Sequence, residues 1–387
     1  MNRCTRAIIF KDNLKHNLEQ IKKYVKPSTK ICVAVKADGY GHNAVLTARM
    51  AEEIGIEYLA VATVDEGIEL RNAGITTEIL LLSVCTPIEM HDLFEYKISP
   101  LVFGNEYITS IIEAADTYSE DNELADFGVF LAVDTGMGRI GCYPCEAGEQ
   151  AELIVKSKHL KLSGMCTHLA VSDSLAVDNA AFTKEQGEAF KTAIDNVKSK
   201  GINPGICSCG SSAALLNNDE LHFDMIRPGI IVYGYYPDEI TEKYLNSLGK
   251  KLDIKPVLAF ETKVVAIRHF DKGKSISYGR TYVCEEDTDI AILPVGYADG
   301  LLRRFSPGLT VTINGKNYPV CGRICMDQCM VNIGKNNKDV KLWDKVLIFG
   351  PKESGALNTA DDLAKIGNTI SYEVLTSLSK RVQRIIR

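Results

Sequence analysis

The apolar run Ile31-Cys32-Val33-Ala34-Val35 leads straight into Lys36. An amine at the mouth of an apolar cavity has a depressed pKa, because desolvation disfavours the ammonium. A neutral amine attacks carbonyls and forms Schiff bases. Other reactive groups stand at the ends of comparable runs. Asp134-Thr135-Gly136-Met137-Gly138 leads to Arg139, Thr167-His168 closes the run 161–169, Ser211-Ser212 follows 205–210, and Arg227-Pro228-Gly229 interrupts 222–234. Singly, a rim histidine or arginine is more often solvated or ion-paired than catalytic. Together they supply an amine, an imidazole, hydroxyls and two cations. Lysine plus a phosphate-type site points to pyridoxal phosphate (PLP), with other carbonyl or phosphate chemistry left open.

These residues must be brought to one place. Short β-rich runs at 30–37, 58–63, 78–83, 98–103, 127–134, 161–169, 205–210 and 222–234 alternate with amphipathic segments such as 44–54, 64–72, 146–157 and 179–200. Eight strand–helix units predict an α/β fold, a (β/α)8 TIM barrel over residues 1–240. Its active site belongs at the C-terminal ends of the strands, and phosphate at the loops after strands seven and eight. A doubly wound sheet is the runner-up, but no G-x-G-x-x-G follows the first strand. Beyond residue 250 the texture changes. Strand-like segments at 256–270, 289–295, 309–320, 329–333 and 345–349 are separated by Gly, Asn and Pro, and 358–367 is helical in pattern. This predicts a β-rich C-terminal domain over 241–387.

Bulk properties narrow the class. The 387 residues are 45% hydrophobic and 24% charged, with a net charge of −6, an ordinary globular composition without a basic stripe. That argues against a nucleic-acid partner. No apolar run is long enough to cross a bilayer, and the N-terminal stretch lacks the apolar region of a signal peptide. The expectation is a cytoplasmic protein without membrane association. The twelve cysteines sit mostly inside apolar runs and are expected as free thiols. Cys142-Tyr143-Pro144-Cys145 has no second half at zinc spacing, and Cys321, Cys325 and Cys329 fall in strand and turn, so no metal is expected.

The motifs resemble, in order and across both predicted domains, those of the alanine racemase family. They are V-K-A-D-G-Y-G-H (35–42), D-T-G-M-G-R-I-G (134–141), T-H-L-A (167–170), S-S-A-A (211–214), D-M-I-R-P-G-I-I-V-Y-G (224–234), S-Y-G-R-T-Y (277–282), G-Y-A-D-G (296–300), G-R-I-C-M-D-Q (322–328) and S-Y-E-V (371–374). The resemblance implies a homodimer whose active sites are shared between subunits and a small amino-acid substrate. It implies interconversion of L-alanine and D-alanine by two bases on a PLP Schiff base, supplying D-alanine for peptidoglycan. Lys36 would hold PLP and act as one base, and Tyr278 of the partner subunit as the other. Tyr40, Ser212, Tyr372 and the backbone of Gly229 and Ile230 would bind the phosphate. Arg227 would face the ring nitrogen, with His168 between it and Tyr278, and Arg139 with the partner's Met326 backbone would hold the substrate carboxylate. Arginine does not surrender a proton near neutral pH, so the ring opposite it is a weaker electron sink than opposite a carboxylate. Tyr297 and Asp299 carry only a site-wall role, with packing as the alternative.

One departure stands out. Many alanine racemases carry a carbamylated lysine seven residues before the Arg139 position, where this chain has Ala132. Three further readings remain open. A serine or broad-specificity racemase is separated by its substrate, and a PLP-dependent decarboxylase by release of carbon dioxide. A non-catalytic PLP carrier would bind without turnover.

Overall fold

The computed structural model describes residues 3–387. A first strand, β1 (Arg6–Ile9), precedes eight parallel strands that close into a barrel. These are β2 (Lys30–Ala34), β3 (Tyr58–Val61), β4 (Glu78–Leu81), β5 (Ile98–Val102), β6 (Phe127–Ala132), β7 (Leu160–Cys166), β8 (Ile206–Ser211) and β9 (Met225–Arg227). β9 returns to β2 through Lys30↔Met225 and Ile31↔Ile226. The strands read as near-continuous apolar runs because both their faces are covered, as parallel barrel strands require. Closure leaves no slack inside. At Gly164 on β7 an added Cβ would lie 2.3 Å from the Ile206 carbonyl and 2.4 Å from the Phe130 ring, so only glycine fits.

The run 222–234 yields only a three-residue strand. Pro228, which has no N–H to donate, ends it, and the chain turns at Gly229 into a 3-10 turn over Ile230–Tyr233. That turn matters for the site below.

The second unit is a nine-stranded, mainly antiparallel sheet. It contains the expected strands between 258 and 349, and helix Ala360–Ile366 lies in the segment expected to be helical. Thr359 caps that helix, and the Asp362 carboxylate returns to the Thr359 N–H at 2.8 Å. Both chain ends also join this sheet. β1 pairs antiparallel with Leu258–Lys263 (Arg6↔Glu261, Ile9↔Leu258) and parallel with Gln383–Ile386. A division at residue 240 leaves β1 on the barrel side, yet its hydrogen bonds run to the sheet. A four-residue strand carries no sequence mark of which sheet it will join.

Helix Lys11–Tyr24, which no motif announced, buries Leu14, Leu18 and Ile21 at helical spacing. Its buried Asn17 donates to the Val232 and Lys255 carbonyls and accepts from the Lys255 N–H at 2.8 Å. One amide thereby joins the barrel's last turn to the segment that leaves it.

Asp299 is fully buried and holds both ends of the chain. It pairs in bidentate fashion with Arg3 (2.5 and 2.9 Å), and Arg381 lies 3.4 Å away. This assigns Asp299 a structural task, on the packing side of the alternative raised above. Asp299→Ala is expected to lose about 1–3 kcal/mol of stability, since the arginines retain access to water, and a chemical denaturation curve checks it.

All twelve cysteines are free, and among the described residues no group of three or more His, Cys, Asp or Glu is placed to hold a metal. Among the described residues no helix is long and apolar enough to cross a membrane.

Candidate active site

The C-terminal ends of the barrel strands open into a cavity of about 970 Å³. Of the eleven residues singled out from the sequence, nine line it: Lys36, Tyr40, Arg139, His168, Ser212, Arg227, Gly229, Ile230 and Tyr372. Tyr278 and Met326 do not. They stand on the second unit, 69% and 53% exposed.

Lys36 comes two residues after β2 ends, and the chain then does something unusual. Ala37, Asp38, Gly39 and Tyr40 all take left-handed backbone angles, with φ of 53°, 52°, 60° and 54°. Three of the four carry side chains, each costing roughly 1–2 kcal/mol in that conformation. Neighbouring contacts must offset this. Asp38 accepts from the Ala44 N–H at 3.0 Å, the Gly41 N–H reaches the Ala37 carbonyl at 2.9 Å, and Arg384 donates to the Gly41 carbonyl at 3.0 Å. The turn lets both Lys36 and Tyr40 line the same cavity. Tyr40 stacks on Tyr233 at 4.9 Å, and Tyr233 donates to the Ala34 carbonyl at 2.8 Å.

His42 secures the turn from beneath. It is wholly buried, stacks on Tyr233 at 4.7 Å, and its Nδ1 bonds to the Tyr40 carbonyl at 2.8 Å. Burial pushes its pKa down to about 4 from an ordinary 6.5. The folded chain therefore keeps this ring neutral where the unfolded chain protonates it. Stability fully present above pH 6.5 is lost as pH falls toward 4, by about 3 kcal/mol at the lower end. Unfolding temperatures are expected to drop across that window, and the drop to be shallower in His42→Gln.

Arg227 is buried at the end of β9 with no carboxylate beside it. Its guanidinium donates to Ser208 Oγ and to the carbonyls of Thr167 (2.6 Å) and Cys209 (3.4 Å). These bonds go to neutral acceptors from β8 and the end of β7 rather than to His168. The influence of Arg227 on His168 is electrostatic: burial first, then Arg227, Arg139 and Lys36, push the imidazole down to about 3, so it is neutral. For Lys36, burial lowers the amine's pKa most, Arg139 lowers it next, Glu66 opposes, and Arg227 lowers it further.

Ser212 Oγ accepts from the Gly229 N–H at 2.8 Å, and Ile230 opens the 3-10 turn, whose first N–H has no carbonyl within the turn to meet. Burial raises Tyr40 to about 12 and Tyr372 higher, so both stay protonated hydrogen-bond donors. Gly229 is required here by a close approach. A Cβ would lie 2.5 Å from Tyr40 Oη, on a ring that Tyr233 pins. Gly229→Ala is expected to weaken retention of a phosphate-bearing cofactor by roughly 10–100-fold, from about 1–3 kcal/mol of overpacking. Equilibrium dialysis against PLP measures it.

Ala132 lines the cavity with a methyl group at the end of β6, and Arg139 is exposed and makes no ion pair with a described residue. On the second unit, the loops bearing Tyr278 and Met326 adjoin. Ser277 donates to the Arg323 carbonyl at 2.6 Å, and the Tyr297 and Ala298 N–H groups reach the Cys325 and Met326 carbonyls at 3.0 Å. Tyr278, Tyr297 and Met326 are exposed large side chains on these adjoining loops. Sequence reasoning gave no role to Glu66, His42 and Tyr233, which hold the Lys36 turn; His42 and Tyr233 lie within the motifs quoted above, whereas Glu66 lies outside them and is revealed by its nearness to the turn in space.

Comparison with known proteins gives a uniform result. The family described as "Alanine racemase, N-terminal domain" matches residues 9–237, and "Alanine racemase, C-terminal domain" matches 257–386. The chain is 47% identical to the alanine racemase of Treponema denticola over 385 residues, covering 99% of this chain and 98% of that one. It is 40% identical to alanine racemase 1 of Clostridium acetobutylicum, over 98% and 94% of the two chains. Among solved structures, the alanine racemase of Clostridium difficile 630 superposes with a TM-score of 0.89 at 36% identity, covering 100% and 96%. That of Bacillus anthracis with bound L-Ala-P gives 0.88 at 32%, over 100% and 96%.

Proposed function

The chain belongs to the alanine racemase family and is an isomerase that interconverts L-alanine and D-alanine; from that premise we propose that it works with PLP on Lys36, as a homodimer with two bases. The observation that carries this reading is the gathering of Lys36, Arg227, His168 and the Ser212–Gly229–Ile230 cradle around one cavity, while Tyr278 and Met326 stand exposed on the other unit. The donor set fits the cofactor. Arg227, held by neutral acceptors alone, has a use for the lone pair of a ring nitrogen. The hydroxyls of Tyr40, Tyr372 and Ser212 and the Ile230 N–H supply neutral donors for a phosphate, while Gly229, whose N–H reaches Ser212 Oγ, leaves backbone rather than side chain at that wall.

Bound there, PLP withdraws electrons from the substrate's α-carbon and acidifies its proton. The chain's own groups do the rest. Lys36 takes or returns the α-proton on one face, and the partner subunit's Tyr278 does so on the other. Burial and the two arginines keep the Lys36 amine less basic than free lysine, which suits a group that must both accept and release a proton. Arg139 and the backbone of the partner's Met326 hold the substrate carboxylate. His168, kept neutral by burial and the field of Arg227, offers the partner's Tyr278 a hydrogen-bond partner without carrying charge. Tyr372 and Tyr278 crowd the side-chain end, favouring a methyl group, although one added atom costs only about 1–3 kcal/mol in such a pocket. The D-alanine product serves peptidoglycan, and the enzyme works in the cytoplasm.

Proton NMR of L-alanine with enzyme and PLP in D2O, followed by chiral analysis, tests the reading. Loss of the α-proton signal together with D-alanine is expected. Exchange without D-alanine would remove the second base from the scheme, and carbon dioxide release would turn the assignment toward decarboxylation.

A further inference from the structure

Glu66 sits on helix Val64–Asn72, which follows β3. The helix is capped by Thr63, whose hydroxyl accepts from the Glu66 N–H. Thr63-Val64-Asp65-Glu66 has the spacing of a capping box, in which the glutamate would turn back to the N–H of the cap residue. The carboxylate goes elsewhere. Oε1 accepts from the Ala37 N–H at 2.6 Å, and Oε2 from the Ala62 N–H at 2.8 Å. Ala37 follows Lys36, and Ala62 follows the end of β3. One carboxylate therefore ties together the mouths of two neighbouring barrel strands.

Two features give that tie a consequence. Ala37 begins the left-handed turn, and a residue with a side chain stays at φ 53° only where its surroundings over-determine it. A charge-assisted bond to its N–H is stronger than a neutral one. It fixes the peptide plane between Lys36 and Ala37, and so the direction in which the lysine side chain leaves the backbone. The second feature is charge. The ionised groups that face the amine are Arg139 from the loop after β6, Arg227 from β9 and Glu66 from the helix after β3. His168, after β7, is neutral, and Tyr40 stays protonated. Glu66 is the carboxylate in that set.

We infer that Glu66 is a positioning residue for Lys36: its carboxylate fixes the peptide bond that follows the lysine and supplies the negative charge set against Arg139 and Arg227. The inference rests on the reading of Lys36 as the residue that bonds PLP. It assigns Glu66 no contact with substrate or cofactor. Glu66 acts across one peptide bond.

The test uses the full-length enzyme freed of PLP and then mixed with PLP over a pH series. The rate at which the covalent adduct's absorbance grows follows the unprotonated fraction of Lys36. In Glu66→Gln the midpoint of that pH dependence is expected to move to lower pH by about one unit, because a carboxylate that favours the ammonium is gone. Glu66→Asp keeps the charge and shortens the reach. Its midpoint stays near that of the native enzyme while the rate falls several-fold. The pH profile of L-alanine racemisation should move with the adduct midpoint in Glu66→Gln. A Glu66→Gln midpoint equal to the native one overturns the charge role, and a Glu66→Asp rate equal to the native one overturns the positioning role. Glu66→Asp still decides the second point should Glu66→Gln fail to fold. Failure of the native enzyme to form the adduct is a separate result, and it overturns the assignment of Lys36 itself.

Discussion

Lys36→Ala is expected to lose racemisation by at least about 10⁴-fold, because in the proposed scheme one substitution removes both the bond to PLP and one of the two bases. The fold should survive. Lys36 lies beyond the end of β2 and its amine makes no structural hydrogen bond among the described residues, whereas the turn behind it is held by Asp38, Arg384 and Glu66. Thermal unfolding of the variant should therefore stay near that of the native chain. Added methylamine should restore a small part of the activity, since a free amine can enter the cavity and accept a proton. Native-like turnover in Lys36→Ala would sink the reading of the site.

The second prediction concerns assembly. Tyr278→Ala alone is expected to fall by about 10³-fold or more, from loss of a general acid–base on one face. It should still exchange the α-proton for deuterium, because Lys36 remains. Mixing inactive Lys36→Ala with inactive Tyr278→Ala should then restore activity. In a two-fold dimer with shared sites, half of the randomly exchanged dimers are hybrids. Each hybrid has one site carrying both substitutions and one carrying neither, so about one quarter of native activity returns. Were each site built from a single chain, no mixture would recover anything. The geometry favours sharing, because Tyr278 is exposed and absent from the walls of the cavity that holds Lys36.

Much of this architecture was legible beforehand. The alternation of apolar runs with amphipathic segments is a local property, and each run could be read without knowing its neighbours. The barrel strands accordingly fall within or close to the expected runs, shortened at their ends. The family motifs likewise name residue types at fixed spacing, and nine of the eleven residues taken from them line one cavity.

What escaped was non-local. The pairing of β1 with Leu258–Lys263 joins residues some 255 apart, as in the Arg6–Glu261 bond of 2.7 Å, and no window of sequence contains both partners. Thr63-x-x-Glu66 shows the limit most clearly. Its local signature predicts a helix cap closed on itself, yet the stronger partner for the carboxylate is the Ala37 N–H, brought within reach only when β2 and β3 pair side by side. Asp299 is a similar case, an acidic residue in a motif whose burial beneath Arg3 and Arg381 depends on both chain ends returning to one sheet. The barrel and the lysine just past the end of its first strand were readable from neighbouring positions, because those positions carry hydrophobic period and residue type. The tertiary structure alone decided which charges surround the amine and which side chains stay outside the cavity, because burial and electrostatic interaction depend on distances in space that the closed barrel creates.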